Sequence, residues 1–206
     1  MKALVIKLEG YQAWGESTLT ERRPSSTMPT RSGLLGLLAA CLGIRRHQHE
    51  LLSELSQRVK FAIRADQIGI RELDYHTVRN VGEAGGGVKK DAVQSYREYL
   101  SDCKFTVLVI GESLTDIKSA LKKPVFTPFM GRKSCPITRP LYYAEIEGDD
   151  VLGLFQAAGS STGQIASELP LGSNDTIRQV REQPVYGTVR KFANIEQYIG
   201  GLYVSK

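Results

Sequence analysis

The stretch Phe129-Met130-Gly131-Arg132-Lys133-Ser134-Cys135-Pro136 holds the residue types that most directly suggest chemistry in this 206-residue chain. A glycine that lets backbone N–H groups face outward, followed at once by Arg132, Lys133 and Ser134, can form an anion-binding turn. A second anion site is offered by Arg31 and Ser32. They open an apolar helical run, where unpaired N–H groups and the helix dipole favour phosphate. His76, within Asp74-Tyr75-His76-Thr77, admits three readings. It can contact RNA by stacking or hydrogen bonding, act as a general base toward a 2′-hydroxyl, or be buried and pin the inserted hairpin to the sheet. Lys89 and Lys90 follow Gly85-Gly86-Gly87 and make a basic, flexible tip.

Other chemistries lack their residues. His47 and His49 form an HxH pair, but no third ligand of known spacing accompanies it, so no metal centre is expected. Glu145, Glu147, Asp149 and Asp150 sit at the end of a strand-like run, where turn chemistry explains them. No Walker-type phosphate loop occurs, and no GxGxxG follows a strand. Cys41, Cys103 and Cys135 are odd in number and far apart, which implies a reduced, cytoplasmic setting without a disulfide framework. The most apolar stretch, 33–44, is well short of the ~20 residues that span a bilayer, so no membrane contact is expected. The formal net charge of +5 favours a polyanionic partner. No cofactor, metal or catalytic residue is expected.

These groups need elements to hold them. Residues 2–8 alternate as a strand, with Leu4, Ile6 and Leu8 on one face. Leu34, Leu37, Leu38, Cys41 and Leu42 make a helical stripe, capped by Thr30 or Ser32 and ended by Gly43. Residues 58–65 alternate again, with Arg58, Lys60 and Arg64 forming a basic outer face. The continuous apolar run 105–110 reads as a central strand covered on both sides. A helix over 113–122, with capping-box spacing at Ser113 and Asp116, and a strand over 142–146 complete the plan. The order β-α-β-β-α-β predicts an α+β, ferredoxin-like (RRM-type) core over 1–146. The insertion at about 71–102 predicts a projecting hairpin, and 147–206 a small, mostly β C-terminal region. An RRM stacks bases on aromatics of its central strands; 105–110 lacks them, which moves RNA contact to loops, helix ends and the hairpin.

Five blocks carry a resemblance. Gln12-Ala13-Trp14-Gly15, the run from Pro29 to Leu38, Asp74-Tyr75-His76-Thr77-Val78, Arg97-Glu98-Tyr99-Leu100 and the run from Thr127 to Pro136 resemble, in order, the CasD subunits of type I-E CRISPR Cascade complexes. That resemblance implies a RAMP-superfamily protein in which the hairpin is a thumb. It further implies a non-catalytic subunit that grips the 5′ handle of the crRNA and caps the backbone filament in antiviral defence. Its implied neighbours are a backbone subunit of the CasC (Cas-seven) type and the large subunit CasA, with target DNA met through the assembled complex. The RNA contacts it implies are Gln12, Trp14, Arg31, Ser32, His76, Lys89, Lys90, Arg97, Gly131, Arg132, Lys133 and Ser134. Type I-C relatives cleave precursor RNA themselves, so the alternative is a metal-independent endoribonuclease using Tyr75, His76 and a nearby lysine. The family carries Gly-Pro before the Gln-Ala-Trp-Gly block where this chain has Gly10-Tyr11, which predicts a less rigid first loop.

Overall fold

Alternation in the first strand sets the frame of the molecule. β1 (Lys2–Gln12) sends Leu4, Ile6 and Leu8 into one core and Ala3 and Val5 into another, as side chains of period two must. The structure is a computed structural model and describes residues 1–15, 21–82, 85–89, 91–159, 163–172, 175–186 and 191–202. Three two-residue strands follow, β2 (Trp14–Gly15), β3 (Arg22–Arg23) and β4 (Ser25–Ser26). α1 (Arg31–Leu42) then starts at Thr30, whose side chain accepts from the Gly33 N–H at 3.3 Å, and ends at Gly43 with φ of 76°. Both caps match the sequence reading. α2 (His49–Arg58) is an element the sequence reading lacks, since His47 and His49 read only as an HxH pair. His49 instead opens a helix, since Leu52, Leu55 and Ser56 recur at helical spacing and are buried.

β5 (Lys60–Gln67) and β6 (Ile70–Val78) lead through β7 (Val81–Gly82) and β8 (Val88–Lys89) to β9 (Val93–Ile110). β9 is the longest strand, 18 residues, and at about 3.3 Å per residue it runs for about 60 Å. Its first half pairs antiparallel with β6, from Val78↔Val93 to Ile70↔Ser101. Its second half lies between β1 and β5. Gly69 marks the change of course, because a Cβ there would sit 1.7 Å from the Ser101 carbonyl oxygen. Val107 and Val109 enter one core and Leu108 and Ile110 the other, as a strand covered on both faces requires.

α3 (Thr115–Lys122) turns Ile117 and Leu121 inward. Its N-cap is Leu114 without a side-chain hydrogen bond, so the Ser113/Asp116 capping box is not formed. β10 (Tyr142–Glu147) precedes α4 (Val151–Ala157), where Asp150 accepts from the Gly153 N–H at 2.7 Å. β11 (Gly163–Ser167), β12 (Thr176–Val185) and β13 (Lys191–Leu202) complete the described strands. The large sheet runs β10-β1-β9-β5-β11-β13-β12. It is antiparallel except where β3 joins the edge of β9 in parallel. Leucines of α1, α2 and α3 build the core on one face, and Val151, Leu154 and Phe155 of α4 the core on the other.

That second layer corrects one reading. Arg64 is not part of a basic outer face but is 1% exposed. β11 pairs beside it and α4 packs over it, so its guanidinium bonds Asp66 at 2.6 Å and the Phe155 carbonyl at 3.3 Å. Among the described residues, no helix is long and apolar enough to cross a membrane.

Candidate nucleic-acid interface

The basic turn is held from beneath. Met130 and Cys135 are buried and close it through Met130 N–H to the Cys135 carbonyl, 2.8 Å, and Cys135 N–H to the Arg132 carbonyl, 2.8 Å. Gly131 adopts φ of +86°, and a Cβ there would lie 1.8 Å from the Ala13 carbonyl oxygen. Only glycine fits. Ala13 in turn donates its N–H to the Met130 carbonyl at 3.1 Å. The result leaves Lys133 and Ser134 exposed on a fixed backbone.

Arg132 ties this turn to the ribbon of β6 and β9. Its guanidinium lies 4.8 Å from the centre of the Tyr99 ring and donates to the carbonyls of Glu98 and Arg23, both at 3.1 Å. Those bonds engage two of its five N–H groups. Tyr99 also places its hydroxyl 3.3 Å from Ser134 Oγ. Tyr11 also stacks on Tyr99, with ring centroids 4.8 Å apart and the planes at 19°. Burial, reinforced by Glu72, pushes the Tyr11 phenol up to about 12. Tyr11, near the end of β1, is itself held in this stack.

Period two places the rest. Tyr99, Arg97 and Ser95 share one face of the ribbon with their cross-strand partners Glu72, Asp74 and His76. His76 Nε2 lies 2.5 Å from Asp74 Oδ2. The turn and the polar ribbon face thus meet at Tyr99, where Arg132 and Ser134 contact a side chain that shares a face with Arg97 and His76. Lys89 lies in β8 near the ribbon tip, paired with Val81; Lys90 lies outside the described residues.

The opposite face anchors the ribbon. Glu98 is buried and accepts from Arg22 at 2.8 and 3.1 Å, from the Ser25 N–H at 3.3 Å, and from Arg71. Burial alone would raise its carboxyl, but these donors outweigh burial and hold it below the ordinary carboxylate value. A depressed carboxyl contributes stability that is complete above its unfolded value of 4.5 and is lost as pH falls through the lower folded value. Glu98→Gln is expected to lose about 2 kcal/mol at neutral pH, because it weakens charge-assisted bonds without emptying the site. Thermal melts between about pH 3 and 7 should show the gap from wild type closing toward acid.

Three expected contacts are placed elsewhere. Gln12 is fully buried, donating from Nε2 to the Cys103 carbonyl at 3.2 Å and accepting from Trp14 Nε1 at 2.9 Å. Trp14 is fully buried against Gly33, whose Cβ would come within 2.7 Å of its ring. Arg31 is 3% exposed, ion-paired with Glu168 and bonded to the Ser56 carbonyl at 2.6 Å. All three side chains are committed to packing α1 and the turn. Ser32 is half-buried in the first turn of α1. Sequence reasoning missed Tyr99, Tyr11, Ser95 and Glu98; two-residue alternation from Arg97 would have placed Ser95 and Tyr99 on its face. Among the described residues, no cluster of His, Cys, Asp and Glu could hold a metal ion.

The sequence profile of the family described as CRISPR-associated protein (Cas_Cas5) matches residues 3–197. The chain belongs to this family. It is 37% identical to the CRISPR system Cascade subunit CasD of Escherichia coli (strain K12) over 222 residues, covering 98% of each chain. One chain of a solved CRISPR RNA-guided surveillance complex matches with a TM-score of 0.81 and 26% identity, over 97% of this chain and 89% of that one. A crystal structure of a Cas protein matches with a TM-score of 0.64 and 27% identity, over 97% and 93%. Membership in the CRISPR-associated family agrees with the resemblance carried by the five sequence blocks.

Proposed function

We propose that this chain is the crRNA-binding subunit of a type I-E Cascade surveillance complex, and that its role is non-catalytic. Four of its strands, in the order β10-β1-β9-β5, with α1, α2 and α3 on one face, read as a ferredoxin-like core. The ribbon of β6 and β9 reads as the thumb. Arg132, Lys133 and Ser134 hold phosphates of the 5′ handle, His76 and Arg97 hold sugars or bases, and Ser32, Lys89 and Lys90 add contacts at the helix start and thumb tip. Gln12, Trp14, Arg31 and Gly131 position these groups rather than touch RNA. The chain caps a filament of CasC-type subunits, meets the large subunit CasA, and reaches target DNA through the assembly in the cytoplasm.

The observation that carries this reading is the stack of Arg132 on Tyr99. It joins the basic turn to the polar face of the ribbon, so phosphate-binding cations and sugar-facing groups share one surface. RNA contacts elsewhere divide in the same way, with cations positioning the backbone and polar side chains reading what lies beside it.

The His76–Asp74 pair at 2.5 Å is the one feature that favours the endoribonuclease reading, since a carboxylate can orient an imidazole as a general base. Purified chain incubated in EDTA with repeat RNA from its own CRISPR array decides between them. The RNA is expected to be retained intact. Specific cleavage that disappears in His76→Ala would overturn the non-catalytic role.

A further inference from the structure

Four buried side-chain atoms among the described residues lack a hydrogen-bond partner: His49 Nδ1, His76 Nε2, Ser95 Oγ and Arg97 Nε. Three of the four lie on one face of one ribbon. His76 and Ser95 are direct cross-strand partners, and Arg97 is the next residue along that face. His76 Nε2 has Asp74 Oδ2 beside it but out of hydrogen-bond alignment; Ser95 and Arg97 have no comparable neighbour for these atoms. Ser95 is 8% exposed. Leaving buried polar atoms unpaired is unfavourable, and a cluster of them where a ligand is expected points to that ligand as the missing partner.

The atoms specify its chemistry. Arg97 Nε–H only donates, whereas Ser95 Oγ both donates and accepts. Their complement is a group that accepts one hydrogen bond and donates another, as a hydroxyl does. The surroundings favour a sugar over a base. Tyr99 on this face is buried beneath Tyr11 and Arg132, so no aromatic plane is free for stacking. The exposed tyrosines of the ribbon, Tyr75 and Tyr96, pair with each other on the opposite face. The neighbouring cations of the Gly131 turn attract a phosphodiester backbone, and every ribose hydroxyl lies close to one.

We propose that Ser95 and Arg97 recognise a ribose 2′-hydroxyl of the guide, with His76 beside it, and that this pair makes the subunit selective for RNA over DNA. The proposal rests on the RNA-binding reading above. Its test uses the full chain and repeat RNA from its own array, made as an all-ribose strand and as a series with one 2′-deoxy nucleotide each. Wild type should lose about 5-fold in affinity at one deoxy position, the equivalent of one hydrogen bond. Ser95→Ala should bind the all-ribose strand about 5-fold more weakly and show no further loss at that position. Arg97→Lys, which keeps the charge but removes Nε–H, should show the same blindness and guards against a folding defect in the first variant. Equal deoxy penalties in wild type and both variants would overturn the proposal, as would sensitivity to base identity in place of the sugar. Failure of wild type to retain the all-ribose strand would instead overturn the RNA-binding reading itself.

Discussion

Arg31→Ala is expected to destabilise the protein by about 3–5 kcal/mol, the range for removing one member of a buried ion pair. Arg31 and Glu168 are both nearly inaccessible, at 3% and 7% side-chain exposure. The guanidinium also bonds the Ser56 carbonyl and lies 5.7 Å from the centre of the Phe61 ring. Glu168 donates its own N–H to the Phe61 carbonyl, so the pair joins α1, α2, β5 and the segment after β11. Removing the cation leaves a carboxylate stranded in the core. Burial already raises the Glu168 carboxyl, against the pull of Arg31, and without Arg31 it should rise further. A raised carboxyl is relieved when protonated, so the loss should shrink as pH falls toward the acid range. Urea unfolding of the variant at neutral and mildly acidic pH checks both the size and the direction. Arg31→Met with Glu168→Leu, which removes both charges and keeps volume, should recover most of the loss.

Arg132→Ala with Lys133→Ala should weaken retention of guide RNA by about 10²–10⁴-fold. Charge-assisted hydrogen bonds contribute about 1.5–3 kcal/mol each, and two are removed. Stability should fall much less, because Lys133 is exposed and the turn is closed by its own backbone bonds beneath Met130 and Cys135. Arg132 does hold the carbonyls of Glu98 and Arg23, so a loss of about 1 kcal/mol is expected from that source. Lys133→Ala alone should preserve stability and still weaken binding about 10-fold.

Local patterns were legible; long-range partners were not. Alternation in β1, the leucine stripe of α1 with its Thr30 and Gly43 caps, and the two-sided burial of 105–110 follow from side-chain spacing alone. α2 was hidden because His49, Glu50 and Glu54 make its exposed face polar and only Leu52 and Leu55 mark the buried one. Arg31 and Arg64 read as surface groups because the segments that cover them are remote in sequence: Glu168 lies 137 residues beyond Arg31, and Phe155 lies 91 beyond Arg64. A charged side chain announces itself as solvated until its counter-charge is located. The basic turn at Gly131 was visible as a local motif, but its union with the hairpin depends on Tyr99, and only the β6–β9 register puts that ring on the face of Arg97 and His76.

The central claim, that the turn and the ribbon form one RNA-holding surface, is tested most directly by salt. Binding of repeat RNA to wild type and to the Arg132→Ala/Lys133→Ala variant should be titrated in EDTA over a range of salt concentrations. Wild type should retain intact RNA with a steep salt dependence. The variant's slope should be shallower by about 1.4, two phosphate contacts at about 0.7 each for single strands. Identical slopes and affinities in the two proteins would contradict the account.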